Sequence, residues 1–159
     1  MLQVKLSQAK NGLHIISTNV LMIDIDCKGP GHKDMASISA KSRAEAANRL
    51  ITFSKEEQLP IVIYPTRSGV HCYLLDRLRD SRDAESLLLM TRVGCDANYI
   101  GLTLLSQTGL WNERISPKKD REEFPPIYGF QFGPSEKIHP LCQKWIDIRG
   151  GFISRRWKL

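Results

Sequence analysis

An α+β fold, an antiparallel sheet covered by helices, is the class this 159-residue sequence predicts. Three observations predict it. Short apolar runs of strand length recur along the chain, two longer segments carry apolar residues at helical spacing, and the order is strand, helix, hairpin, helix rather than a regular alternation. A composition of 42% hydrophobic and 25% charged residues supports a buried core, and the length fits a single domain over residues 1–159.

The elements follow in order. Asn11-Gly12 reads as a hairpin turn between Leu2-Gln-Val-Lys-Leu6 and Leu13-His-Ile-Ile16. Met22-Ile-Asp-Ile-Asp26 reads as a strand with Ile23 and Ile25 directed to the core, so Asp24 and Asp26 emerge together on the other face. Two like charges so close repel unless a cation lies between them. Cys27-Lys-Gly-Pro-Gly-His-Lys-Asp34 is a basic loop in which Lys28, His32 and Lys33 are candidate phosphate contacts. A helix is expected from about Ala40 to Gln58, with Ser42-Arg-Ala-Glu45 as a capping box and Ala44, Ala47, Leu50 and Ile51 on one face.

Ile61-Val-Ile-Tyr64, the turn Pro65-Thr-Arg-Ser-Gly69 and Val70-His-Cys-Tyr-Leu-Leu75 read as strand, tight turn, strand. A second helix is expected over Asp80–Arg92, started by Asp80 or Ser81, with Ala84, Leu87, Leu88 and Thr91 on one side. Asp96 follows it as an isolated carboxylate. Gly109–Glu123 is polar and turn-rich, Ile127–Phe132 alternates like a late strand, and Pro140–Ile148 is expected to close the fold as a short helix.

Lys and Arg number 23 against 17 Asp and Glu, a net charge of +6 that suits a polyanionic partner. No apolar run is long enough to span a bilayer, and the N-terminus lacks the pattern of a signal peptide, so no membrane partner and a cytoplasmic location are expected. Cys27, Cys72, Cys95 and Cys142 form no Cys-x-x-Cys pair and read as reduced thiols in or beside the core.

The Asp-x-Asp strand, the Arg67-Ser-Gly-Val-His-Cys-Tyr73 hairpin and the later Asp96 occur in the order found in the archaeo-eukaryotic primase superfamily, which this sequence resembles over roughly residues 20–120. The resemblance implies an RRM-like catalytic core and a metal-dependent nucleotidyltransferase, a DNA primase or primase-polymerase, using Mg²⁺ or Mn²⁺. It implies Asp24, Asp26 and Asp96 as catalytic metal ligands, and Arg67, Ser68, Gly69 and His71 as the grip on the nucleotide phosphates. Gly69 would allow a tight backbone with N–H groups facing the anion, while Ser68 and His71 donate hydrogen bonds and Arg67 adds a permanent charge. Arg114 and Lys118 are the later candidates for triphosphate or template contact, and Trp111 for base stacking. The implied partners are nucleoside triphosphates and a single-stranded DNA template or primer-template. A replication protein or a second copy of the chain is expected to complete the template platform. Two other readings stay open: a non-catalytic module of this fold that binds single-stranded nucleic acid or a replication protein, and a metal-dependent nuclease.

Overall fold

The structure is a computed structural model that describes residues 1–8, 14–27, 42–117 and 124–156. Among these residues it is an α+β arrangement of two antiparallel sheets and four α-helices, one sheet more than the sequence led us to expect. The first sheet has the order β1-β2-β6, from β1 (Val4–Gln8), β2 (His14–Thr18) and β6 (Trp111–Arg114). The second has the order β3-β5-β4-β7, from β3 (Val20–Asp26), β4 (Ile61–Pro65), β5 (Gly69–Leu78) and β7 (Phe130–Phe132). Lys5, Leu6, Ser7 and Gln8 of β1 are exposed, so the first sheet presents a solvated edge.

The chain passes between the sheets at Asn19, which separates β2 from β3. Its side chain donates to the Met1 carbonyl at 3.0 Å and accepts from Gln3 N–H at 2.8 Å, while its carbonyl accepts from Arg79 N–H at 2.8 Å. With its polar groups satisfied locally, Asn19 holds a corner from which two strands join different sheets.

Both faces of the second sheet are buried at its centre, since Ile23, Ile25, Cys72 and Leu74 on one side and Met22, Tyr64 and Tyr73 on the other are all at most 2% exposed. The helix α1 (Arg43–Glu57) contacts β4 and β5. Its start is as the capping box predicts, with Ser42 Oγ accepting from Glu45 N–H at 3.2 Å. Its buried face is rotated from the expected one: Ala46, Leu50 and Phe53 are buried and Ala44 is exposed. Choosing the stripe through Phe53 buries a large ring that the other face would have left in water. The closing helix α4 (Pro140–Arg156) runs well past Ile148 and packs on β5 through an edge-on contact of Trp145 with Tyr73.

The second predicted helix begins later. The helix α2 (Ala84–Arg92) starts after Asp83, because Asp80 turns the chain by accepting from Arg82 N–H at 2.8 Å. It buries Ser86, Leu89 and Met90, and Leu88 faces solvent. The helix α3 (Ala97–Leu104) was not anticipated. It is launched by Asp96, whose carboxylate accepts from Tyr99 N–H at 2.9 Å.

Candidate functional site

Alternation along β3 places Met22, Asp24 and Asp26 on one face and buries Ile23 and Ile25 on the other, as the sequence pattern requires. The pairing of β3 with β5 then decides what the carboxylates meet. Asp24 lies opposite His71 and Asp26 opposite Gly69. Residues directly opposite share a face, and His71 Nε2 stands 3.6 Å from Asp24 Oδ1. Both acids open on a cleft of about 650 Å³ bounded by β3, the β4–β5 turn, β6 and residues 124–126. That volume falls within the range of small-molecule pockets.

The cleft is lined by side chains of both charges. Arg67 and Ser68 of the turn, Arg114 of β6 and Arg43 of α1 line it together with the two carboxylates. Arg43 is held over the turn by donating to the Thr66 carbonyl at 3.2 Å. Asp24 has its pKa pushed up to about 6, chiefly by burial; His71 opposes the shift, and the negative charges of Asp26, Asp96 and Glu113 add to it.

Beneath His71 lies a buried polar cluster. Glu113 of β6 accepts from Arg149 Nε and Nη2, each at 2.7 Å, and from the Tyr73 hydroxyl at 2.6 Å. His71 Nδ1 is 3.2 Å from Glu113 Oε1. Arg149 is fully buried on α4, donates to the Pro126 carbonyl at 2.8 Å and stacks its guanidinium 3.8 Å from the centre of the Tyr64 ring. Burial alone would raise the Glu113 pKa, but the Arg149 charge and the His71 contact hold it far below the usual carboxylate range. For His71, burial opposes protonation and is outweighed by the Glu113 hydrogen bond and the charges of Asp24 and Glu113, so its pKa is raised.

The cleft gathers Asp24, Asp26, Arg67, Ser68, His71 and Arg114 of the residues picked from sequence. Asp96 stands beside them rather than among them. Its N–H donates to the Asp24 carbonyl at 2.7 Å, and its carboxylate is occupied in capping α3 and does not line the cleft. Gly69 serves the sheet: it pairs with Asp26, its carbonyl accepts from Thr66 N–H at 2.9 Å, and a Cβ there would collide with the Ile25 carbonyl of β3. Trp111 is fully buried with its indole N–H 3.4 Å from Met90 Sδ, so it does not stack on a base. Lys118, Lys28, His32 and Lys33 lie outside the described residues. Cys72, Cys95 and Cys142 are buried free thiols, and Cys27 is half-buried beside the cleft.

Sequence reasoning passed over Glu113, Arg149 and Arg43. Glu113 alternates with exposed Asn112 and Arg114 about buried Trp111, so the strand pattern Trp-Asn-Glu-Arg held a signal for an inward carboxylate. Nothing local marks Arg149, whose partner is 36 residues away. Among the described residues no group of three or more His, Cys, Asp or Glu is arranged to hold a metal ion. Two adjacent carboxylates nonetheless fit a hard divalent ion, because Mg²⁺ is commonly held by one or two carboxylates together with substrate phosphates and water. No helix among the described residues is long and apolar enough to cross a membrane. No family model matches the sequence, and neither the characterised proteins nor the solved structures include a significant match.

Proposed function

We propose that this protein is a metal-dependent nucleotidyltransferase of the primase-polymerase kind, adding nucleotides on a nucleic-acid template. The observation that carries the reading is the β3–β5 register, which sets Asp24 opposite His71 and Asp26 opposite Gly69, so that both carboxylates line one cleft with His71 and the Arg67-Ser68 turn. In this reading the sheet bearing them is the RRM-like catalytic core that the sequence resemblance implies. Asp24 and Asp26 are the residues that would hold Mg²⁺ or Mn²⁺. The ions would supply Lewis-acid stabilisation of the attacking and leaving oxygens.

The chain's own groups do the rest. Ser68 donates a hydrogen bond to a phosphate oxygen, and Arg67, Arg43 and Arg114 ring the cleft with permanent positive charge. His71 Nε2, facing Asp24, orients the leaving phosphates when protonated. Asp24, whose pKa is raised chiefly by burial and further by the charges of Asp26, Asp96 and Glu113, would become a full carboxylate beside a bound cation. Asp96 acts at one remove: it anchors the Asp24 backbone and caps α3. Nucleoside triphosphates and a single-stranded template or primer-template are the partners this chemistry calls for.

The test incubates purified protein with labelled nucleoside triphosphates, Mn²⁺ or Mg²⁺, and templates with and without primer, beside an Asp24→Asn/Asp26→Asn control. Elongated product from the wild type alone supports the reading. Shortened template assigns the site to a nuclease, and nucleic-acid binding without turnover in any metal assigns it to a non-catalytic binding module.

A further inference from the structure

The buried ion pair under the cleft raises a question of its own. Arg149 and Glu113 have side chains 0% and 1% exposed, and desolvating two charges so completely commonly returns no more stability than an apolar pair of the same volume would. Their value therefore lies in what they hold. Of the groups that Glu113 touches, Arg149 and Tyr73 are fully buried, and only His71, with a fifth of its side chain exposed, reaches the cleft. The cluster joins three elements that do not share a sheet: Glu113 on β6, His71 and Tyr73 on β5, and Arg149 on α4.

We propose that Glu113, locked by Arg149, is the positioning residue of this site: it takes the proton on His71 Nδ1 and so fixes Nε2 toward Asp24 and the cleft. The geometry dictates the direction. A carboxylate gripped by a guanidinium accepts and cannot donate, so the nitrogen 3.2 Å from Glu113 Oε1 carries the hydrogen. The tautomer of an imidazole is set by the hydrogen bond its other nitrogen makes. Glu113 cannot swing to another acceptor position, because Arg149 grips both of its oxygens and the Tyr73 hydroxyl fixes one of them. Arg149 is in turn pinned by the Pro126 carbonyl and the Tyr64 ring. The inference rests on the nucleotidyl-transfer reading for what His71 does, but not for how its ring is held.

The experiment reads the ring directly. Nitrogen NMR of histidine-labelled protein, recorded at about pH 9 where an imidazole is neutral, is expected to show wild-type His71 protonated on Nδ1 and bare on Nε2. In Glu113→Leu/Arg149→Met, which removes both charges and keeps an apolar core, His71 reverts to the Nε2–H form that unconstrained imidazole favours. If that variant does not fold, Glu113→Leu alone gives the same reading, since it leaves His71 Nδ1 facing an apolar side chain with no acceptor in the place of Oε1. Tyr73→Phe disturbs the same cluster but keeps the Glu113–His71 contact, and it leaves the tautomer as in wild type. An unchanged His71 signature in a folded Glu113 variant, or a reversal in Tyr73→Phe, overturns the proposal. Triphosphate affinity measured alongside should fall about tenfold in the Glu113 variants, equivalent to ~1.4 kcal/mol. Absence of nucleotide binding in every variant, wild type included, would remove the transfer reading while the tautomer result still judges the positioning.

Discussion

Asp24→Asn should stabilise the metal-free protein at neutral pH, an unusual sign for a substitution at a half-buried position. The carboxyl has a folded-state pKa of about 6 against an ordinary 3.8. For an acid shifted upward, the folded state holds its proton while the unfolded state has released it, so stability falls as pH rises from the ordinary value through the shifted one. Two and a fraction pKa units at about 1.4 kcal/mol each put the full cost on the order of 3 kcal/mol above pH 6. Asparagine keeps the shape and removes the charge, and it also removes the attraction to His71, which is already counted in the net shift. Urea unfolding without divalent ions is therefore expected to show the variant more stable by about 1–3 kcal/mol near pH 7.5, with the difference vanishing near pH 4. Mn²⁺ at about a thousand times its Kd should invert the order, because an ion that binds only the folded wild type then adds about 4.1 kcal/mol. A variant that is less stable than wild type at pH 7.5, with no divalent ion present, would refute the claim that Asp24 is held against its own charge.

Gly69→Ala should be among the most damaging small substitutions, since its Cβ would meet the Ile25 carbonyl and force β5 off β3; a loss of about 2–3 kcal/mol in chemical unfolding is expected. Glu113→Ala leaves Arg149 buried without its carboxylate and should cost about 3–5 kcal/mol, whereas Glu113→Leu/Arg149→Met should lie much closer to wild type. Thermal unfolding of both, compared at one pH, checks the contrast. Ser42→Ala removes the acceptor for Glu45 N–H and should cost about 1 kcal/mol. Its effect should appear first as amide exchange in the opening turn of α1, with the cleft residues unaffected.

Legibility followed the range over which each signal acts. Period-two alternation placed Asp24 and Asp26 together, and the Pro-Thr-Arg-Ser-Gly turn placed Arg67 and Ser68 beside them, because strands and tight turns are decided by neighbours in sequence. The capping box fixed the start of α1 for the same reason. Faces were harder. Helix spacing put Ala44, Ala47, Leu50 and Ile51 on one face, and the choice of the stripe through Phe53 instead depends on what lies across from it. Asp80 read as a helix start because Asp is favoured there, yet its side chain satisfies Arg82 instead and delays α2. Asp96 was legible as an isolated acid, but an Asp before Ala-Asn-Tyr is also an N-cap, and that local use is the one the chain makes of it. Arg149 was invisible because a buried cation is defined wholly by a distant partner.

The two-sheet arrangement explains why the cleft can exist at all. Had β2 and β3 continued in one sheet, the face carrying Asp24 and His71 would be either flat to solvent or closed by helices. The corner at Asn19 instead sends β2 and β6 to a separate sheet, whose inward Glu113 returns to contact β5. Because the sheets share no backbone ladder among the described residues, their separation at the cleft is set by side chains. The Tyr73 hydroxyl on β5 donates to Glu113 on β6 across this gap, and Arg149 of α4, which packs on β5, grips the same carboxylate. The same contacts that fix the His71 ring therefore also tie β6, which carries Arg114, to the sheet that carries Asp24 and Asp26. On the proposed reading, a site holding a cation and a polyphosphate in register gains from having both settings governed by one buried group.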